Sequence, residues 1–379
     1  MTGYSPAVGP YDPPLIATKA LGLTLAAVFA AELALSFGPL GTMLAPSLQT
    51  LVAFGGASRG LVVGDGEWFR LLTMAFAHAH LLHLAMNGLG LWLVGRTLEP
   101  VLGARWFLAV FFVGALSGSI SSVSFNPPGI VGVGASGALM GLFGFLLAFA
   151  LRLPSGEHRK AFATSALSVL IPSLAPALLP LFLPGQGLQI DYAAHAGGAL
   201  AGAAIAALSP LFWPKIWIPV GYRQIAGAIV AAGILVCGYG AVQLASRHDE
   251  YKLLARLIPA AEIPATEAAF QEQSADLVAR FPEDPRARFH RAIALIRAGD
   301  AQGAEREART AMEIAERYPR SFTRDFRDWA RLLLAGAQQE QGRMAEARTT
   351  ARPLCATSAG TGRIRDLLNR YKLCEQERP

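Results

Sequence analysis

The sequence has little charge and little cysteine. Only 16% of its 379 residues are Asp, Glu, Lys or Arg, whereas 53% are hydrophobic. This composition excludes a disordered chain and leaves too little polar surface to cover a soluble globule of this size. Three cysteines are too few for a disulfide framework. Cys237 lies in an apolar run, whereas Cys355 and Cys374 can pair only if the C-terminal region faces an oxidising compartment.

The scarcity of charge is confined to one part of the chain. Residues 1–246 contain ten Lys or Arg and seven Asp or Glu, whereas residues 247–379 contain 23 and 20. We therefore predict a transmembrane domain over 1–246 and a soluble α-helical domain over 247–379. The net charge is +6, but basic and acidic residues alternate in the second domain and no basic block is interleaved with aromatics. We expect no nucleic-acid partner.

Seven apolar stretches are long enough to cross a bilayer, whose hydrocarbon core of about 30 Å needs roughly 20 helical residues. They predict an all-α fold, a polytopic membrane helix bundle followed by the soluble helical domain. The first stretch is too long for a signal peptide, so we expect it to be retained. The fifth is expected to be kinked by Pro172, Pro176 and Pro180. The spans cover about 15–37, 76–95, 105–125, 134–152, 162–183, 191–213 and 223–246.

The basic residues of the short loops predict the orientation of the spans, because cytoplasmic loops are enriched in Lys and Arg. The loops after spans two, four and six contain seven of them, and the loops after spans one, three and five contain two. The N-terminus is therefore predicted to be cytoplasmic and the C-terminal domain exoplasmic. We expect an integral protein of the bacterial plasma (inner) membrane.

Polar residues occur in three of the apolar spans, where they need a partner, a water-filled cavity or a function. Span four begins near Ser136, and span six carries Asp191 and His195. These spans run in the same direction, so their polar side chains are predicted to lie at one depth near the outer face. Asp191 is expected to be a solvated interfacial residue, with orientation of His195 as the alternative. Span two contributes four polar residues: His78, His80, His83 and Asn87.

Small residues predict that spans four and six approach closely, since glycines at three- and four-residue spacing let membrane helices touch. They are Gly137, Gly141 and Gly144 on span four, and Gly198 and Gly202 on span six. Close approach would bring the Ser136 hydroxyl beside the His195 imidazole. A serine hydroxyl becomes a strong nucleophile when a neighbouring base accepts its proton. His83, Asn87 and the Ser136 amide are suitable donors for the oxyanion that such an attack forms.

The ordered set of motifs over residues 55–210 resembles the rhomboid intramembrane serine proteases. The resemblance implies a six-helix catalytic core over about 55–213, with a seventh helix over about 223–246. It also implies a dyad of Ser136 and His195, an oxyanion site of His83, Asn87 and Ser136, and cleavage of transmembrane-helix substrates near the outer face. Supporting glycines would be Gly134, Gly137, Gly198 and Gly202. No cofactor and no metal site is predicted. The motifs are the segments 67–73, 78–87, 95–99, 134–137 and 194–202.

The C-terminal domain contains an internal repeat, because residues 297–304 recur as 340–347. Each copy has a helix end, a glycine suited to a left-handed cap and an alanine inside the next helix. The pattern resembles tetratricopeptide repeats, although its period of 43 residues exceeds the usual 34 or so. Such repeats present a surface for a protein or peptide partner. A plain helical bundle that packs only on itself is the alternative.

Two other functions remain open for the membrane domain. One is a catalytically inactive rhomboid-like protein that binds membrane clients without cutting them, although the presence of all four polar groups argues against it. The other is a transporter, which would distribute polar groups through the depth of the bilayer. The expected partners of the protease are the lipid bilayer and transmembrane protein substrates.

Overall fold

The computed structural model describes residues 14–175, 190–212, 220–356 and 362–374. The chain divides into two compact units, Met1–His248 and Asp249–Pro379. The described residues are 76% helical and include no β-strand. The predicted all-α fold with a polytopic bundle of apolar helices is confirmed. The assignment of the two domains to lipid and to water stays a prediction.

The first unit is built from apolar helices of different lengths. Four are long and apolar enough to cross a membrane: Ile16–Ala34, Leu81–Phe125, Tyr192–Ser209 and Tyr222–Ser246, counted over the described residues. Ser136–Arg152 is a shorter apolar helix. They support an integral membrane protein. The described helices are α1 (Ile16–Ala34), α2 (Leu48–Ala53), α3 (Arg70–Thr73), α4 (Leu81–Phe125), α5 (Ser136–Arg152), α6 (Glu157–Leu174), α7 (Tyr192–Phe212) and α8 (Val220–Ser246).

Helix α4 joins the predicted second and third spans. Its 45 residues would measure about 68 Å if straight, more than twice the hydrocarbon thickness. Gly103, with φ 74° and ψ 158°, interrupts the helical backbone. The break divides α4 into halves of about 22 residues, each long enough for one crossing. The loop expected between the two spans is therefore reduced to one non-helical residue.

The start of the second span was predicted too early. The helix begins at Leu81 rather than near 76, so His78 and His80 precede it. His80 has an extended backbone, and its Nδ1 accepts a hydrogen bond from the amide of His83 at 3.1 Å. A residue that accepts from the third helical amide in this way is an N-cap and marks the first turn of the helix.

The predicted fifth span corresponds in part to α6. The helix begins at Glu157, five residues before the predicted start, because its charged first turn is also helical. Pro172 lies inside it, as predicted. Pro176 and Pro180 lie outside the described residues, so the predicted kink there is not addressed.

Glycine contacts hold α5, α7 and the second half of α4 together. A Cβ atom on Gly198 would overlap the carbonyl oxygen of Gly137, and one on Gly202 would overlap that of Gly141. On the other side of α5, a Cβ on Gly141 would lie 2.9 Å from the Cα of Gly114 in α4. The backbones thus touch directly, as the spacing of the small residues predicts.

Buried polar contacts attach the outer helices to this core. Glu99 in α4 accepts hydrogen bonds from the amides of Ala17 (2.8 Å) and Thr18 (2.9 Å) at the start of α1. Arg247, just beyond α8, forms an ion pair with Glu67. The fully buried Arg70 donates to the same Glu67 carboxylate at 2.5 Å. The C-terminal end of α8 therefore lies beside the segment that leads into α3.

The second unit is a succession of helices, and from Glu267–Arg280 onward each packs on the next. Gly299 (φ 82°) follows the helix Pro285–Arg297, and Gly342 (φ 76°) follows the helix Arg324–Glu340, so the predicted left-handed glycine caps are confirmed. The tetratricopeptide-like assignment stays a prediction. Cys355 and Cys374 form a disulfide. The helices are α9 (His248–Leu254, which starts at the boundary), α10 (Glu267–Arg280), α11 (Pro285–Arg297), α12 (Ala301–Arg317), α13 (Arg324–Glu340), α14 (Met344–Ala356) and α15 (Gly362–Arg370).

Candidate active site

Ser136 is the first residue of α5 and is half-buried. The loop before it is fixed by hydrogen bonds, from the Gly134 amide to the Met74 carbonyl (2.8 Å) and in both directions between Ala57 and Gly132. Gly134 has φ 111°, which favours glycine. Amides in the first turn of a helix have no partner within that helix. The Ser136 amide therefore points out of the N-terminus of α5 next to the Ser136 hydroxyl.

His195 lies in the first turn of α7 and is buried. The neighbours of the two residues touch, because a Cβ on Gly137 would lie 3.4 Å from the carbonyl oxygen of Ala194. Ser136 also lines a small cavity of about 10 Å³ together with Asp191 and Ala194. In the described part of the chain no hydrogen bond joins the Ser136 hydroxyl to the imidazole. Such bonds are often long in ligand-free enzymes and shorten when substrate binds.

His83 and Asn87 lie one helical turn apart at the start of α4 and face the loop before Ser136. A Cβ on Gly134 would lie 2.6 Å from His83 Nε2 and 3.4 Å from Asn87 Nδ2. Asn87 is buried, and its Nδ2 has no hydrogen-bond partner among the described residues. A buried amide donor without a partner destabilises the resting protein. Together with His83, it forms a group of donors beside the N-terminus of α5.

Asp191 does not fit the solvated interfacial role predicted for it. The residue is half-buried, and its two carboxylate oxygens accept hydrogen bonds from the Ser122 hydroxyl (2.5 Å) and the Ala194 amide (2.9 Å). It therefore caps α7 and links that helix to α4. The alternative, in which Asp191 orients His195, is not supported by the contacts of the imidazole ring. The Nδ1 of His195 lies 2.9 Å from the carbonyl oxygen of Ser173 instead.

The sequence reasoning missed one further residue near the site, Glu32. Glu32 is fully buried in α1 and accepts a hydrogen bond from the amide of His78 at 3.2 Å. The His78 ring lies 5.2 Å from that of His83. The sequence feature that could have identified Glu32 is its position inside an apolar span. A charged residue there is energetically costly in lipid and usually serves a structural or catalytic function. Together these contacts link α1 to the segment that carries His83.

Residues 65–210 match the family model of the Rhomboid domain. This match supports the rhomboid family. All four predicted catalytic and oxyanion residues lie within the matched segment. Helices α1, α2 and α8 and the second unit lie outside it, so the matched segment is flanked by additional helices on both sides.

Several rhomboid relatives are similar to the same part of the chain. The Rhomboid protease GluP of Bacillus subtilis (strain 168) is 37% identical over 161 residues, covering 41% of this chain and 28% of the relative. RHOMBOID-like protein 5 of Arabidopsis thaliana is 36% identical over 171 residues, covering 44% and 53%. Rhomboid-like protease 2 of Toxoplasma gondii is 36% identical over 182 residues, covering 47% and 60%. The chain thus spans less than two thirds of these curated relatives.

Proposed function

We propose that this chain is an intramembrane serine endopeptidase that hydrolyses transmembrane-helix substrates near the outer membrane face. The observation that carries the proposal is the contact between Gly137 and Ala194, which brings the helix ends bearing Ser136 and His195 together. The relatives named as proteases support the same class of reaction. Ser136 would be the nucleophile and His195 the general base.

The proposed reaction follows from the placement of these groups. His195 accepts the Ser136 hydroxyl proton while the Ser136 oxygen attacks the scissile carbonyl. The negative charge formed on the carbonyl oxygen would be stabilised by the Ser136 amide together with Asn87 Nδ2 and His83, which lie beside Gly134 in the loop before Ser136. His195 then protonates the leaving amine, and water hydrolyses the acyl-enzyme by the same steps in reverse.

The unpartnered amide of Asn87 favours catalysis over client binding alone. A protein that only binds membrane clients gains nothing from a buried donor that destabilises its resting state, whereas an oxyanion site needs one. The catalytically inactive alternative is therefore disfavoured. The transporter alternative is disfavoured as well, because a transporter would distribute polar groups through the bilayer, whereas His83 and Asn87 lie beside the loop that leads to Ser136.

We also propose that the C-terminal unit lies on the exoplasmic side and the N-terminus in the cytoplasm. The excess of Lys and Arg in the even-numbered loops supports this topology. So does the disulfide between Cys355 and Cys374, since disulfides persist in oxidising compartments. The Arg247–Glu67 ion pair places the end of α8 beside the segment that precedes α3, near the loop before Ser136. A bacterial plasma-membrane location stays a prediction, because the relatives come from bacteria, a plant and Toxoplasma gondii.

The test of the proposal is cleavage of a fluorogenic transmembrane substrate by the reconstituted full chain. We expect Ser136→Ala and His195→Ala to reduce turnover at least about 10³-fold, and Asn87→Ala to reduce it about 10²-fold. Ser168→Ala is the matched control, because Ser168 is an exposed serine of α6. Equal cleavage by wild type and Ser136→Ala would reject the protease assignment.

A serine-directed phosphonate separates an inactive protein from an enzyme given the wrong substrate. An active dyad is labelled at Ser136 whatever its natural substrate, and His195→Ala is expected to abolish labelling. A folded wild-type protein that resists both the phosphonate and the substrate would favour the client-binding alternative.

A further inference from the structure

We propose that the backbone carbonyl of Ser173, at the C-terminal end of α6, positions His195 and fixes the ring tautomer that can act as a base. The proposal rests on the proposed function and adds a positioning residue to it. It makes α6 part of the catalytic apparatus, although α6 contributes no side chain to the dyad.

The tautomer follows from the chemistry of the hydrogen bond. The Nδ1 of His195 lies 2.9 Å from the Ser173 carbonyl oxygen. A carbonyl oxygen can only accept a hydrogen bond, so Nδ1 must carry the proton. In a neutral imidazole the other nitrogen, Nε2, then bears a lone pair. His195 is thereby held in the one neutral form whose Nε2 can take a proton from Ser136.

The Ser173 carbonyl is available because of its place in the helix. The described helix ends at Leu174, so no described residue of α6 lies four positions beyond Ser173 to donate a hydrogen bond to its carbonyl. The nearest acid does not compete for the ring, because Asp191 is engaged by Ser122 and the Ala194 amide. The Ser173 carbonyl thus takes the orienting position that an aspartate occupies in a Ser-His-Asp triad.

The end of α6 is joined to the rest of its helix by fewer hydrogen bonds than usual. Pro172 has no N–H group, so the carbonyl of Ser168 lacks its partner one turn later. A displacement of this end relative to α7 would break the bond to Nδ1 while leaving Ser136 and His195 on their own helices. We therefore expect the position of α6 to control kcat rather than substrate affinity.

The first test reads the tautomer directly and needs no activity. In the reconstituted wild-type protein with ¹⁵N-labelled histidine, we expect the His195 signals to show a protonated Nδ1 and an unprotonated Nε2. The signals are assigned by their loss in His195→Ala. A protonated Nε2, or an even mixture of the two tautomers, would overturn the proposal even if Ser136-dependent cleavage is found. Absence of both cleavage and phosphonate labelling with the expected tautomer would reject the proposed function and leave the hydrogen bond standing.

The second test weakens the acceptor without changing a side chain. Replacing Leu174 by its α-hydroxy analogue turns the Ser173 carbonyl into an ester carbonyl, which is a poorer acceptor. We expect kcat to fall about tenfold with KM unchanged, and the Nε2-protonated form to become detectable by NMR.

The matched control is the α-hydroxy analogue of Val169. It removes one helical N–H and converts the Ser168 carbonyl, so it carries the same backbone cost within the same helix. No histidine bonds to the Ser168 carbonyl in the described part of the chain. We expect less than about a twofold change in kcat. Equal effects of the two esters would show that α6 acts only through stability and would overturn the proposal.

Discussion

Both units contain fully buried alanines, but their closest helix contacts differ. In the membrane unit these contacts are between glycines, with backbone against backbone, as at Gly202 and Gly141. In the C-terminal unit they are made by alanines with no exposed surface. Those alanines are Ala292, Ala304, Ala308, Ala335, Ala337, Ala347 and Ala351.

The prediction that the first unit lies in lipid and the second in water would explain the difference. Lipid tails give helices no hydrophobic reason to associate, so close backbone approach and van der Waals contact must hold the membrane bundle together. In water, each buried methyl group contributes favourably, and glycine costs about 1 kcal/mol of helix stability relative to alanine. On this prediction, close helix packing favours glycine at helix contacts in the bilayer and alanine at helix contacts in water.

The largest effect is expected where a methyl group is added to the membrane core. Gly202→Ala would place a Cβ into the carbonyl oxygen of Gly141, and a backbone atom in a packed helix cannot move aside cheaply. We expect the free energy of unfolding to fall by about 3 kcal/mol and phosphonate labelling to be lost. Thermal unfolding in detergent measures the stability, and labelling at Ser136 measures the integrity of the site. Gly227→Ala in α8 is the control, since no heavy atom lies within 4 Å of its Cβ position; similar losses in both variants would refute the contact.

The next effect concerns the buried carboxylate of Glu99 in the membrane unit. Glu99→Ala would leave the amides of Ala17 and Thr18 without their acceptor at the start of α1. We expect the local stability of the first turns of α1 to fall by about 2 kcal/mol, because buried donors without partners are destabilising. Hydrogen exchange of the first turns of α1 measures it. Glu99→Gln, which keeps one acceptor oxygen, is expected to lose about half as much, and an unchanged Glu99→Ala would show that the cap contributes nothing.

Removing a methyl group from the C-terminal unit is expected to have a smaller effect. Ala304→Gly deletes a fully buried methyl and introduces glycine into α12, which together cost about 1.5 kcal/mol. Protection of residues 301–317 against hydrogen exchange in the full chain is the measurement. The reverse change, Gly336→Ala in α13, meets open space and is expected to stabilise. If both changes destabilise, the proposed contrast with the membrane unit fails.

The smallest effect concerns charge in the C-terminal unit. Burial acts to raise the pKa of Glu305, but hydrogen bonds from Gln341, Arg309 and Arg343 outweigh it and lower the pKa to about 2. Because the folded-state pKa lies below the unfolded one, the stabilisation is complete above pH 4.5 or so and disappears as the pH falls through 2.

Glu305→Gln should therefore lower the stability of α12 by roughly 1 kcal/mol at neutral pH, and should equal wild type near pH 2. Rate-corrected hydrogen exchange between pH 2 and 7 tests this. A difference between the two proteins that does not vary with pH would contradict the assignment.

The sequence predicted the helices better than their ends and connections. Hydropathy located the apolar runs because lipid demands them, and small-residue spacing predicted the contact of α5 with α7. The turn in α4 was misjudged, since Glu99 and Pro100 are typical of a loop. The structure instead uses the Glu99 carboxylate to cap α1, a partner 82 residues away that no local pattern reveals.

The candidate site shows the same limit. Ser136, His195, His83 and Asn87 were identifiable from residue type and depth, and their roles stay predictions. The Ser173 carbonyl had no signal, because every residue has a carbonyl and only the end of a helix frees it. Asp191 was misassigned because a carboxylate near an interface gives no indication of whether water or a neighbouring serine will bind it.

The idle amide of Asn87 has a practical consequence for anyone seeking a sturdier version of this protein. Its Nδ2 has no hydrogen-bond partner among the described residues, so exchange for a leucine of similar size should raise the melting temperature. The same exchange would delete a group that the proposed reaction needs at its most highly charged moment. Screens that rank variants by heat resistance alone would thus select against turnover at this position.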